Sequence, residues 1–126
     1  MRKLALAAVL IGNALATGCK QPGSQKLEGH WRGQKADGVS ESAQSSANAF
    51  ATSTEIIAQG NQISIHTVGS RPPPPAAYTV DKEDATTLVI HTDRDRTTET
   101  FAFDPKAGTM VWKIDAQRSI TFKKVP

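Results

Sequence analysis

From Glu28 to the C-terminus, apolar and polar residues alternate with a period of two, in short runs broken by turn-forming residues roughly every 8 to 12 positions. The runs predict eight strands: Glu28–Ala36, Ala51–Ala58, Gln62–Val68, Ala77–Lys82, Thr86–Thr92, Thr97–Phe103, Thr109–Ile114 and Arg118–Val125. Between the first two lies Ser40–Asn48, rich in Ser and Ala and without a clear apolar face, which reads as a loop or a weak helical turn. Pro72 to Pro75 read as a stiff polyproline connector between the third and fourth strands. Short connections make the set an antiparallel meander. Closing that meander removes its exposed edges, so the expected fold is all-β, an eight-stranded antiparallel up-and-down barrel.

Parity assigns the faces. Tyr78 and Val80, Leu88 and Ile90, Phe101 and Phe103, Met110, Trp112 and Ile114, and Ile120 and Phe122 point inward. Ser64, His66, Thr79, Asp81, Lys113 and Lys123 point outward and are polar, which excludes a barrel with a lipid-facing wall. Eight strands enclose an interior that side chains fill or that holds one small ligand. Tyr78, Glu99, Phe101, Phe103 and Trp112 are the candidate ligand-lining residues, Glu99 because it shares parity with Phe101 and Phe103.

The first twenty residues follow a different pattern. Arg2 and Lys3 precede an apolar run from Leu4 to Leu15, and small residues lead to the only cysteine, Cys19. Charge, grease and small residues in that order make a secretory signal, and the run falls short of the roughly 20 apolar residues a membrane-crossing helix needs. The expected organisation is a signal peptide helix over 1–18, Cys19 with a short tether over 19–26, and a barrel domain over 27–126. The chain carries a net charge of +3, but without Arg2 and Lys3 only 13 basic residues stand against 12 acidic ones. A nearly neutral mature domain with no basic patch excludes nucleic acid as a partner. A single cysteine excludes an internal disulfide.

Ala16-Thr17-Gly18-Cys19 resembles the lipobox of bacterial lipoproteins, with Ala16 where Leu is commonest. The resemblance implies lipidation of Cys19, cleavage after Gly18 and a membrane anchor, and Lys20 after the cysteine implies sorting to the outer membrane of the cell envelope. Gly29-His30-Trp31 at the start of the first strand, ahead of an eight-strand meander, resembles the lipocalin and wider calycin pattern. That resemblance implies that Trp31 closes one end of the barrel, that Gly29 allows close approach there, and that a basic residue of the last strand packs across the indole. Lys124, which shares parity with Ile120 and Phe122, is the matching residue, with Arg118 as runner-up.

Catalytic signatures are lacking. The sequence holds no Gly-x-Ser-x-Gly, no phosphate-cradling loop and no cysteine other than Cys19. His30, His66 and His91 have outward parity and no acidic or cysteine neighbour at ligand spacing, so they read as exposed structural histidines, with no metal and no cofactor. The expected function is therefore a non-enzymatic, lipid-anchored binding module for a small apolar ligand or lipid. The alternative is an envelope interaction protein or periplasmic inhibitor that meets a protein partner through its loops.

Overall fold

The computed structural model describes residues 23–71, 73–94 and 97–126. Cys19, the expected signal peptide and the first part of the expected tether lie outside the described residues. Eight strands follow one another around a closed barrel: β1 (Gly29–Asp37), β2 (Thr54–Gln59), β3 (Gln62–Thr67), β4 (Ala76–Glu83), β5 (Thr87–Thr92), β6 (Thr98–Asp104), β7 (Thr109–Lys113) and β8 (Ser119–Lys124). Every neighbouring pair is antiparallel, and β8 closes on β1 through Trp31 opposite Lys124 and Asp37 opposite Ser119. Odd strands run up and even strands down. The lower end therefore carries the β2–β3, β4–β5 and β6–β7 turns, and the upper end carries the other connections.

Period two sets the core. Leu27, Ile56, Leu88, Ile90, Phe101, Met110 and Phe122 are fully buried, and Trp31, Ile63, Tyr78 and Ile120 nearly so. Removing each such side chain from water stabilises the fold by about 1.5–3 kcal/mol. Two bulges interrupt the alternation, one between Gly33 and Lys35 on β1 and one between Val80 and Lys82 on β4. The first explains how Trp31 and Ala36, five positions apart, both face the core.

The β1–β2 connection departs most from expectation. A single 3₁₀ turn (Glu41–Ala43) leads into a helix, α1 (Gln44–Thr52), so Ala51 ends a helix and does not begin β2. A nine-residue helix is marginal by itself, the more so with two Ser, an Asn and a Thr in it. Tertiary contacts hold it. Asn48 Oδ1 accepts the Ala36 N–H at 2.9 Å, and Gln44 Nε2 donates to the Ala36 carbonyl at 2.8 Å. Gly33 makes the approach feasible, since a Cβ there would lie 1.8 Å from the Ala51 carbonyl oxygen. At the other end of β7, Ile114 falls just past the strand and is exposed.

Candidate functional site

At the lower end Trp31 plugs the barrel. Trp31 is only 4% exposed, and its Nε1–H donates to the Leu27 carbonyl at 2.9 Å. The Lys124 ammonium sits 5.4 Å from the Trp31 ring centroid, a cation over an aromatic face. Gly29 gives room to the Lys124 stem: its φ is +126°, and a Cβ on it would lie 2.6 Å from Lys124 Cε. Arg118, the other candidate, is at the opposite end of β8 and pairs with Asp115 at 2.7 Å. Phe103 meets Trp31 edge-on at 6.1 Å. The two rings border a shallow apolar groove of about 160 Å³ with Pro105 and Gly108.

Residues preceding β1 complete the seal. Gly23 to Lys26, expected to belong to the tether, pack on the barrel. The Ser24 N–H donates to the Tyr78 hydroxyl at 2.8 Å, and that hydroxyl donates to the Gly60 carbonyl at 3.2 Å. Burial pushes the Tyr78 phenol above its ordinary value. Ser24 Oγ and Lys26 Nζ both donate to Glu83 Oε2, at 3.0 and 3.1 Å.

The upper end is different. β3 and β4 pair only through Gln62–Ala77 and Ile63–Ala76, so above Ile63 they part. A cleft of about 150 Å³ opens there, walled by Ile63, Ser64, Ile65, Pro73, Pro74 and Ala76 and rimmed by Thr92, Arg94, Thr97 and Glu99. Glu99 projects from the start of β6. Its Oε1 accepts the Trp112 indole N–H at 2.8 Å, and its Oε2 accepts the Thr97 hydroxyl at 3.1 Å. Arg94 Nη2 donates to the Pro74 carbonyl at 2.8 Å and so ties the β5–β6 connection to the proline segment.

The five candidate ligand-lining residues thus separate. Tyr78 and Phe101 are core, Phe103 belongs to the lower groove, and Glu99 and Trp112 form one hydrogen-bonded pair at the upper mouth. Of the residues that complete the mouth, Ile65 lies within β3 and shares the parity of Ile63, while Pro73, Arg94 and Thr97 stand on connections whose path period two does not determine.

The histidines require a correction. His66 does point to the outer wall, but its side chain is only 6% exposed, and Ser64 beside it is buried too. His66 Nε2 lies 3.1 Å from Glu55 Oε1, and His30 Nε2 lies 2.6 Å from Glu55 Oε2, so one carboxylate links β1, β2 and β3. Burial pushes the Glu55 carboxyl up. Hydrogen bonding and charge from His30, then His66, outweigh it, and the net direction is down. The imidazoles take opposite oxygens, and among the described residues no set of three His, Cys, Asp or Glu is arranged to hold a metal ion. His91 Nδ1 pairs with Asp81 Oδ1 at 2.7 Å across β4 and β5.

The fold and its two ends define a class: a small closed barrel with a packed apolar core, an apolar groove beside Trp31 at one end and a carboxylate-bearing cleft at the other. No known protein family matches the chain, and no curated protein matches it.

Proposed function

We propose that the protein is a lipid-anchored module of the bacterial envelope, tethered through Cys19 to the outer membrane, that binds a small ligand at the upper mouth of its barrel and catalyses no reaction. The observation that carries the binding reading is the Glu99–Trp112 pair at the mouth of a barrel whose centre is occupied by Phe101, Phe122, Leu88 and Met110. A polar group oriented by a second side chain, set beside apolar walls, is the usual composition of a small-molecule site. The cleft is well below the roughly 300 Å³ at which drug-sized pockets begin, so the ligand inserts one group and leaves the rest outside.

The leader supports the anchor. Two or more acyl chains hold a protein stably on a bilayer, where one chain does so only marginally. In cells fed labelled palmitate, the wild-type chain should carry label and sediment with outer membranes, and Cys19→Ala should do neither. Labelled Cys19→Ala protein would refute the anchor.

A second reading has its own observation. Phe50, 58% exposed, and Ile114 border a small apolar depression with Val39 and Arg118 at the α1 end. Such a rim suits a protein partner. Capture of an envelope protein by wild type but not by Phe50→Ser would favour that reading.

A further inference from the structure

We propose that the upper mouth selects a short alkylammonium ion, with Glu99 receiving the ammonium group and Ile63, Ile65 and Pro73 receiving the carbon chain. This rests on the reading of the mouth as the binding site and names the chemistry of what enters it.

Three features point to a cation. First, Glu99 lines the cleft and takes part in none of the ion pairs among the described residues. A carboxylate has about four acceptor positions, and two are taken, by Trp112 Nε1 and Thr97 Oγ1. Capacity remains for a charged donor, whose hydrogen bonds are roughly twice as strong as neutral ones. Second, the carboxylate is held in place by those two donors before any ligand arrives, so little ordering entropy is lost on binding. Third, the walls beside it are mainly apolar on one side, from Ile63, Ile65, Pro73, Pro74 and Ala76, with Ser64 among them. That combination fits a charged head on a hydrocarbon stem and disfavours a fully hydrated metal ion.

Size sets the stem. A cleft of about 150 Å³ takes a short stem and its head, not a drug-sized molecule. Butylammonium, with four carbons and one nitrogen, matches. Arg94 lines the same cleft with the opposite charge. Its guanidinium donates to the Pro74 carbonyl, so it closes the rim and leaves the carboxylate as the charged acceptor. An anion of equal length is accordingly the most informative competitor.

The two tryptophans make the test local. In the mature lipidated protein in detergent, with 15N-labelled tryptophan, the indole N–H signals of Trp31 and Trp112 report the two ends separately. Trp112→Phe assigns them. Butylammonium, butan-1-ol and butyrate are titrated in turn at neutral pH. The expected result is a saturable shift of the Trp112 signal by butylammonium, binding at least tenfold weaker for butan-1-ol, no shift with butyrate, and an unmoved Trp31 signal. Glu99→Gln, which keeps an oxygen to accept from Trp112, should bring butylammonium down to the level of butan-1-ol. Butan-1-ol or butyrate binding as tightly as butylammonium would overturn the ammonium assignment and leave the mouth as a site. No Trp112 shift with any of the three would overturn both. Should Glu99→Gln fail to fold, the comparison of the three ligands on wild type still decides.

Discussion

The two ends of the barrel each hold one tryptophan, and each indole donates a hydrogen bond, but to different kinds of acceptor. Trp31 donates to the main-chain carbonyl of Leu27, part of the segment that plugs the lower end. Trp112 donates to the Glu99 carboxylate, a side chain that lines an open cleft. The Leu27 carbonyl is uncharged and its residue is fully buried beside a nearly buried indole, so the lower bond is structural. A carboxylate acceptor has capacity left over and can exchange partners. The same donor therefore seals one end and equips the other.

The largest effect that tests this contrast is truncation of each tryptophan. Trp31→Ala should destabilise the protein by about 3–5 kcal/mol, the range for a large aromatic lost from a packed interior. Trp112, only partly buried, should cost roughly half as much on the same principle. Urea unfolding of both variants measures the difference. Equal losses would mean that the upper end is as much a part of the core as the lower, and the contrast would fail.

Much of this architecture is legible in the chain, for reasons that differ by element. The strands are visible because one wall of each faces the core, so Leu88 and Ile90 or Ile120 and Phe122 recur two apart. Glu99 is reached by the same counting. The bulges are not, because the extra residue on β1 has no signature in alternation, and Ala36 counts as outward until the bulge is known. α1 is hidden for another reason: its stability comes from Gln44 and Asn48 bonding to Ala36, a contact between elements. The His30–Glu55–His66 link carried a usable signal. A two-residue turn at Gly60-Asn61 pairs Gln59 with Gln62, and counting back along the hairpin sets Glu55 opposite His66. Residue spacing along one strand could not show it, since the partners stand on three.

Acid should act on that link next. The Glu55 carboxyl has its folded value below its ordinary 4.5. A lowered carboxyl contributes stability that is present above the unfolded value and is lost as pH falls through the folded one. The thermal midpoint should thus drop as pH is taken below about 4.5, and Glu55→Gln should remove part of that drop while lowering the midpoint at neutral pH. Because Glu55 joins β2 to His30 on β1 and to His66 on β3, hydrogen exchange in β1 to β3 should quicken before exchange on the opposite wall, in β6 and β7. Simultaneous quickening on both walls would show that the barrel loosens as one unit.

The smallest effect sharpens the sealed end. Lys124→Met keeps the aliphatic stem that lies against Gly29 and removes only the charge above the Trp31 ring. Lys124 is exposed, so the attraction belongs at the weak end of the cation–aromatic range, about 0.5–1 kcal/mol. Gly29→Ala keeps the charge and disturbs the stem instead, with a backbone at φ +126° and a new Cβ within 2.6 Å of Lys124 Cε. If the charge matters, Lys124→Met should lower the unfolding midpoint, and the loss should shrink with added salt because an exposed charge is screened. If the stem alone matters, Lys124→Met should be neutral while Gly29→Ala is not. The two variants together assign the closing contact at the lower end either to a cation held over an indole or to plain packing.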